Sequence, residues 1–83
     1  MNLNDYKLNV IVQQIIRSVD VLQHYYLISS RFTQTKIINN LKESYKYECK
    51  QHGRVLSIHS FIEDIESTIG WDFVVPDDKL VAL

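Results

Sequence analysis

Apolar residues recur at helical spacing through the first third of the chain. At about 100° of rotation per residue, a helix over residues 4–29 gathers most of them into one broad stripe. The stripe consists of Leu8, Ile11, Val12, Ile15, Ile16, Val19, Leu22 and Tyr26. Such a stripe is typical of a helix that packs one side against a protein core.

A second, thinner apolar line lies on the opposite side of the same predicted helix. We call it the second face, and it consists of Val10, Val21, Tyr25 and Ile28. A surface helix of a monomer needs only one apolar side, and a chain of 83 residues has little further structure to cover another. We therefore expect the second face to bind a partner, either a second copy in a homodimer or another protein.

Capping residues set the limits of the first two predicted helices. Asn4 is a good N-cap for the first helix. Thr33 is the predicted N-cap of a second helix over residues 33–52, and Gly53 can adopt the left-handed conformation that ends many helices. Because the connection between the two helices is short, we predict an antiparallel helical hairpin.

A third helix is predicted over residues 58–69. Its start has two possible caps: Ser57 precedes the apolar run, whereas Ser60 forms a capping box with Glu63. Gly70 marks its end. The sequence leaves both starting points open.

An extended segment is predicted after the third helix. Residues 71–75 are rich in residues that favour strands, and Pro76 interrupts them. The chain has only two glycines and one proline, which favours long helices. The sequence therefore predicts a mainly α fold in a single small domain, residues 1–83.

Cysteine usage and polarity predict a cytoplasmic protein. Cys49 is the only cysteine, so the chain has no internal disulfide. The first residues lack the pattern of a signal peptide, and polar residues interrupt the first helix too often for a membrane span. Abundant isoleucine, asparagine, tyrosine and lysine are typical of proteins from low-GC bacteria and their phages.

Charge is distributed unevenly, although the net charge is only −1. Residues 31–54 hold six cationic and two acidic side chains, a balance of +4. On the second predicted helix the cations form a lysine row: Lys36, Lys42, Lys46 and Lys50. Such a row can neutralise phosphates along a nucleic-acid backbone, so an alternative function is that of a nucleic-acid-binding regulator.

Residues 55–83 have the opposite balance, −5, from six carboxylates and one lysine. The partner-binding candidates of this acidic end are Trp71, Asp72, Phe73, Asp77 and Asp78. Carboxylates around aromatic anchors suit a protein that occupies a phosphate-binding groove. The leading hypothesis is a small cytoplasmic regulator or inhibitor that neutralises a basic or nucleic-acid-binding protein by surface contact.

Signals for catalysis and metal binding are weak. Cys49, His52 and His59 contain the right donor types, but a structural zinc site needs a fourth ligand. Ser57, His59 and Ser60 are close in sequence, yet neighbouring positions of a helix point in different directions. The sequence contains no phosphate-binding loop or nucleophile elbow. We therefore predict no enzymatic activity, no metal or other cofactor, and no small-molecule substrate.

Overall fold

The computed structural model describes residues 4–71, except for the side chain of Ile69, and in this range the protein is mainly α-helical, as predicted. The α-helices within it are α1 (Asp5–Ser18), α2 (Asp20–Ile28), α3 (Arg31–His52) and α4 (Ile58–Asp64). A π-helical turn, Ile65–Ile69, continues α4. None of these helices is long and apolar enough to cross a membrane. The extended segment predicted over 71–75 lies outside the described residues apart from Trp71.

The first predicted helix is divided at Val19, so the prediction of one continuous helix is wrong there. Val19 has extended backbone angles, φ −116° and ψ 106°, between α1 and α2. The Ser18 hydroxyl donates a hydrogen bond of 2.7 Å to the Gln14 carbonyl, a local bond that bends helices. The positive charge of Arg17 is favourable in the last turn of α1, and the negative charge of Asp20 is favourable in the first turn of α2, because of the helix dipoles. Val19 is buried, so the broad stripe continues across the break.

The start of α3 also differs from the prediction. Ser30 is the N-cap, and its hydroxyl oxygen accepts a hydrogen bond of 3.2 Å from the Thr33 backbone N–H. The predicted cap, Thr33, therefore lies inside the first turn. The helix begins at Arg31, which brings Phe32 into α3 with its ring exposed.

Three other helix ends are formed by the residues that the sequence indicates. Asn4 caps α1, since its Oδ1 accepts a hydrogen bond of 2.8 Å from the Lys7 backbone N–H. Gly53 ends α3 with a left-handed φ of 69°. Of the two possible caps of α4, Ser57 is the one used, and its Oγ accepts a bond of 3.1 Å from the Ser60 backbone N–H.

The third predicted helix is present, but its last part is not α-helical. The Gly70 N–H donates a hydrogen bond of 2.6 Å to the Ile65 carbonyl, which is the five-residue spacing of a π-helix. The Thr68 hydroxyl donates to the Asp64 carbonyl at 2.5 Å. This local side-chain bond lies at the point where the α-helix gives way to the wider turn.

The helices pack around α1. It contacts α2, α3 and α4, and α3 also contacts α2. The broad stripe is buried as predicted, apart from Ile11 and Tyr26, which are partly buried against the same core. The antiparallel hairpin stays a prediction. Its first arm consists of two helices, α1 and α2, instead of one, and each of them contacts α3.

Tyr45 joins α3 to the segments that follow it. Its ring meets the Phe61 ring of α4 edge to face, with centroids 5.3 Å apart. Its hydroxyl donates a hydrogen bond to the Leu56 carbonyl, and the Leu56 N–H donates to Cys49 Sγ at 3.3 Å. Burial raises the pKa of Tyr45 to about 12, and contact with Cys49 adds to the rise. Side chains of α3 thus satisfy both backbone groups of Leu56.

Tyr45→Phe tests this contact, because it removes the hydroxyl and keeps the ring. It leaves the buried Leu56 carbonyl without its partner, so we expect the free energy of unfolding to fall by about 1–3 kcal/mol. The melting temperature, followed by circular dichroism, should fall by about 4 °C or more. Tyr47→Phe removes an exposed hydroxyl from the same helix and should change neither quantity. Equal melting temperatures for the two variants would contradict the role given to Tyr45.

Candidate functional site

The second face is exposed at three of its four residues. Val10 on α1 and Val21 and Ile28 on α2 are exposed, whereas Tyr25 is partly buried and packs against the core. The break at Val19 places Val10 on a different helix from the other three. Val21 and Ile28 are therefore the exposed residues of the second face that still share one helix.

Two larger apolar side chains beside α2 were missed by sequence reasoning. Leu27, near the end of α2, and Phe32, in the first turn of α3, are each 69% exposed. Leu27 belongs to neither apolar line, and the predicted start of the second helix leaves Phe32 outside it. The signal that could have found Leu27 is the run of four apolar residues, 25–28, before the Ser29–Ser30 connection, since a helix cannot bury four consecutive residues on one side. Phe32 stands alone among polar residues and gives no comparable signal.

We group the exposed apolar side chains of α2 and of the first turn of α3 under the name contact face: Val21, Leu27, Ile28 and Phe32. Val21 and Ile28 are seven positions apart and so lie on the same side of α2. Leu22, next to Val21, is buried in the core. The contact face thus consists of α2 side chains that the core does not cover, together with Phe32 in the first turn of α3.

Opposite charges lie at the two ends of the contact face. Asp20 is in the first turn of α2, before Val21, and is exposed. Arg31 begins α3, beyond the other end of α2, and is also exposed. The Lys36 ammonium lies 4.7 Å from the centre of the Phe32 ring. The face therefore has an acidic end and a basic end.

The lysine row lies on α3 and is only partly available to a ligand. Lys36, Lys46 and Lys50 are exposed, whereas Lys42 is partly buried. Lys46 Nζ is 3.9 Å from Glu43 Oε1, and Lys36 stacks over a phenylalanine ring. Two members of the row therefore already interact with side chains of their own chain.

Two carboxylates of α4 are paired with histidines. Glu63 Oε1 is 2.6 Å from His59 Nε2 on the same helix. Asp64 Oδ2 is 2.8 Å from His52 Nε2 at the end of α3. Both carboxylates belong to the acidic end, and these contacts compete with binding to a basic partner.

Trp71 is partly buried and packs against the core. Its Nε1 lies 3.5 Å from Glu66 Oε2. A surface depression of about 470 Å³ is lined by Glu66 and three neighbours: Glu63, Asp64 and Ser67. The other candidates of the acidic end lie outside the described residues: Asp72, Phe73, Asp77 and Asp78.

The structure does not bring Cys49, His52 and His59 together as a metal site. The Cys49 thiol is buried and accepts a backbone N–H, and His59 contacts Glu63. His52 instead lies with Glu48 and Asp64, and one donor atom from each lies within 4.8 Å of the others. Burial raises the pKa of Glu48, and the nearby Asp64 carboxyl raises it further.

Comparisons with protein-family models, with curated proteins and with solved structures give no match to this chain. The candidate binding surfaces can be ranked by how well water solvates their side chains. The lysine row and the carboxylates are charged groups that water solvates well, whereas the contact face holds large apolar side chains in water. The contact face is therefore the strongest candidate for a binding surface.

The lysine row makes a separate prediction. If it binds nucleic acid, changing Lys42, Lys46 and Lys50 together to glutamine should weaken binding to every sequence. The slope of log K against log salt should fall by roughly one for each phosphate that is no longer neutralised, measured by fluorescence anisotropy with duplex and single-stranded probes. Lys7→Gln, on the exposed side of α1, is the matched control and should leave binding unchanged. Wild-type protein that binds no probe at low salt would remove this function.

Proposed function

We propose that this protein is a small protein-binding regulator that acts by surface contact, and that the contact face is its binding surface. The observation that carries the proposal is the exposure of four large apolar side chains on α2 and the first turn of α3. Exposed apolar side chains that adjoin one another are typical of sites where one protein binds another. Leu27 and Phe32 are its most exposed members.

Energetics favour association when both partners contribute apolar surface. Complete burial of a Val, Leu, Ile or Phe side chain stabilises by about 1.5–3 kcal/mol. The side chains of the contact face are already partly covered, so each has roughly half of that gain left. Association costs about 4–15 kcal/mol in lost freedom of motion, which the face of a single copy does not offset. Stable association therefore needs an apolar face on each of the two partners.

A second copy of the chain supplies the matching face. In a two-fold symmetric pair the same surface of each copy meets the other. We propose a two-fold axis perpendicular to α2, for which the two α2 helices run antiparallel. This arrangement places Asp20 of one copy beside Arg31 of the partner subunit, and it does so twice. Charge complementarity between the ends of the contact face therefore supports a homodimer as its occupant.

A homodimer of this kind leaves the acidic surface of α4 open to a further protein. Glu63 and Glu66 are exposed and line the depression beside Asp64. We propose a basic protein as the target of regulation, since carboxylates of one surface steer association with a cationic one. The proposed role includes no catalytic step and places the protein in the cytoplasm.

Substitution of the contact face tests self-association. Changing Val21 and Ile28 together to glutamate should convert a dimer into a monomer, because each interface then buries four new charges. Sedimentation equilibrium up to about 500 µM covers the range in which a complex of micromolar Kd is populated. Val55→Glu, at an exposed valine before α4, is the control and should stay dimeric. Wild-type protein that is monomeric throughout this range would contradict the proposal.

Charge reversal distinguishes the proposed pairing of Asp20 with Arg31 from non-specific hydrophobic association. Asp20→Arg and Arg31→Glu should each weaken the dimer, because each places like charges opposite one another. The double variant should restore it, since the same pair is formed with its signs exchanged. Failure of the double variant to recover, with helicity unchanged, would show that the two ends of the contact face do not meet.

A further inference from the structure

Glu48, His52 and Asp64 form a cluster of metal-binding side chains away from the contact face. Glu48 and His52 are four positions apart on α3, so both side chains lie on one side of that helix. Asp64, the last residue of α4, lies opposite them, with its Oδ2 2.8 Å from His52 Nε2. One donor atom of each residue lies within 4.8 Å of the other two.

These distances are close to those of a bound transition metal. Zinc binds histidine nitrogen and carboxylate oxygen at about 2.0–2.2 Å, which places neighbouring ligands roughly 3–3.6 Å apart. Metal binding replaces the 2.8 Å contact between His52 and Asp64, so side-chain rotation is needed for the three donors to reach that range. Glu48 and Asp64 are partly buried and His52 is exposed, so water can reach the remaining coordination positions.

We propose that Glu48, His52 and Asp64 bind a divalent transition-metal ion, Zn²⁺ in the first place, with water completing the coordination. His52 supplies Nε2, the ring nitrogen that already faces Asp64. A dication also neutralises two carboxylates that the fold holds close together.

The donor set favours zinc over the harder cations. Calcium takes six to eight oxygen ligands, and magnesium prefers an octahedral oxygen shell. An imidazole nitrogen with two carboxylates matches zinc and related first-row ions. The arrangement, three protein ligands with open positions, differs from a closed structural site with four.

Binding would add a further link between two helices that the Tyr45–Phe61 contact and the connection after Gly53 already join. Glu48 and His52 belong to the last turns of α3, and Asp64 to the end of α4. A metal bond across this junction acts as a cross-link and stabilises the folded state increasingly as the ion concentration rises. The exposed His52 gives access from solvent.

The experiment is a calorimetric titration of metal-free protein with ZnCl₂, alongside MgCl₂ and CaCl₂. We expect saturable binding of one Zn²⁺ per chain and no comparable binding of the other two ions. His52→Ala and Glu48→Gln should each weaken zinc binding by about 10-fold or more, since even outer-shell changes cost 10–100-fold. The matched control is His59→Ala, which removes the exposed histidine beside Glu63 and should leave the affinity unchanged.

Nitrogen chemical shifts of the histidine rings provide a second readout. On adding ZnCl₂, His52 Nε2 should shift as a metal-bound nitrogen, whereas His24 and His59 should not. Glu48→Gln keeps the side-chain size, and its circular dichroism spectrum checks that the variant is folded. Zinc affinity unchanged in folded Glu48→Gln and His52→Ala, or lost instead in His59→Ala, would overturn the proposal. Wild-type protein that does not bind zinc would do the same.

Discussion

The burial of Tyr45 is the interaction on which the arrangement of the second half of the molecule depends. Its ring lies edge to face with Phe61, and its hydroxyl bonds to the Leu56 carbonyl. One side chain therefore fixes α4 against α3 and satisfies the connection between them. This placement brings Asp64, at the end of α4, to within 2.8 Å of His52 on α3. The proposed metal site thus depends on an apolar contact made elsewhere on α4.

A small core sets the second constraint. The break at Val19 keeps the broad stripe on the core side of both α1 and α2, and α3 covers it. No second layer covers the outer side of α2 among the described residues, and Leu27 stays 69% exposed there. Exposed apolar surface lowers solubility as a monomer and favours association. We therefore propose that self-association covers the outer side of α2, which the described residues leave exposed.

Sequence reasoning succeeds where local chemistry decides the structure and fails where competing or distant contacts decide it. Asn4 and Gly53 are predictable because a cap needs only its own turn of helix. The break at Val19 escapes prediction because the apolar period continues through it, and Ser30 competes with a neighbouring residue of similar capping ability. Asp64 lies beside Glu48 and His52 of α3 because of tertiary packing, which the spacing of residues along one helix does not show.

Detection of contacts between two copies of the chain tests the contact face without any substitution. A mixture of isotope-labelled and unlabelled protein, measured by isotope-filtered nuclear Overhauser spectroscopy, reports only protons that approach each other across an interface. We expect intermolecular signals from Ile28, Leu27 and Phe32, and none from the exposed Val55 before α4. Signals between copies that arise elsewhere, or their complete absence at concentrations where the protein self-associates, would contradict the contact face as the binding surface.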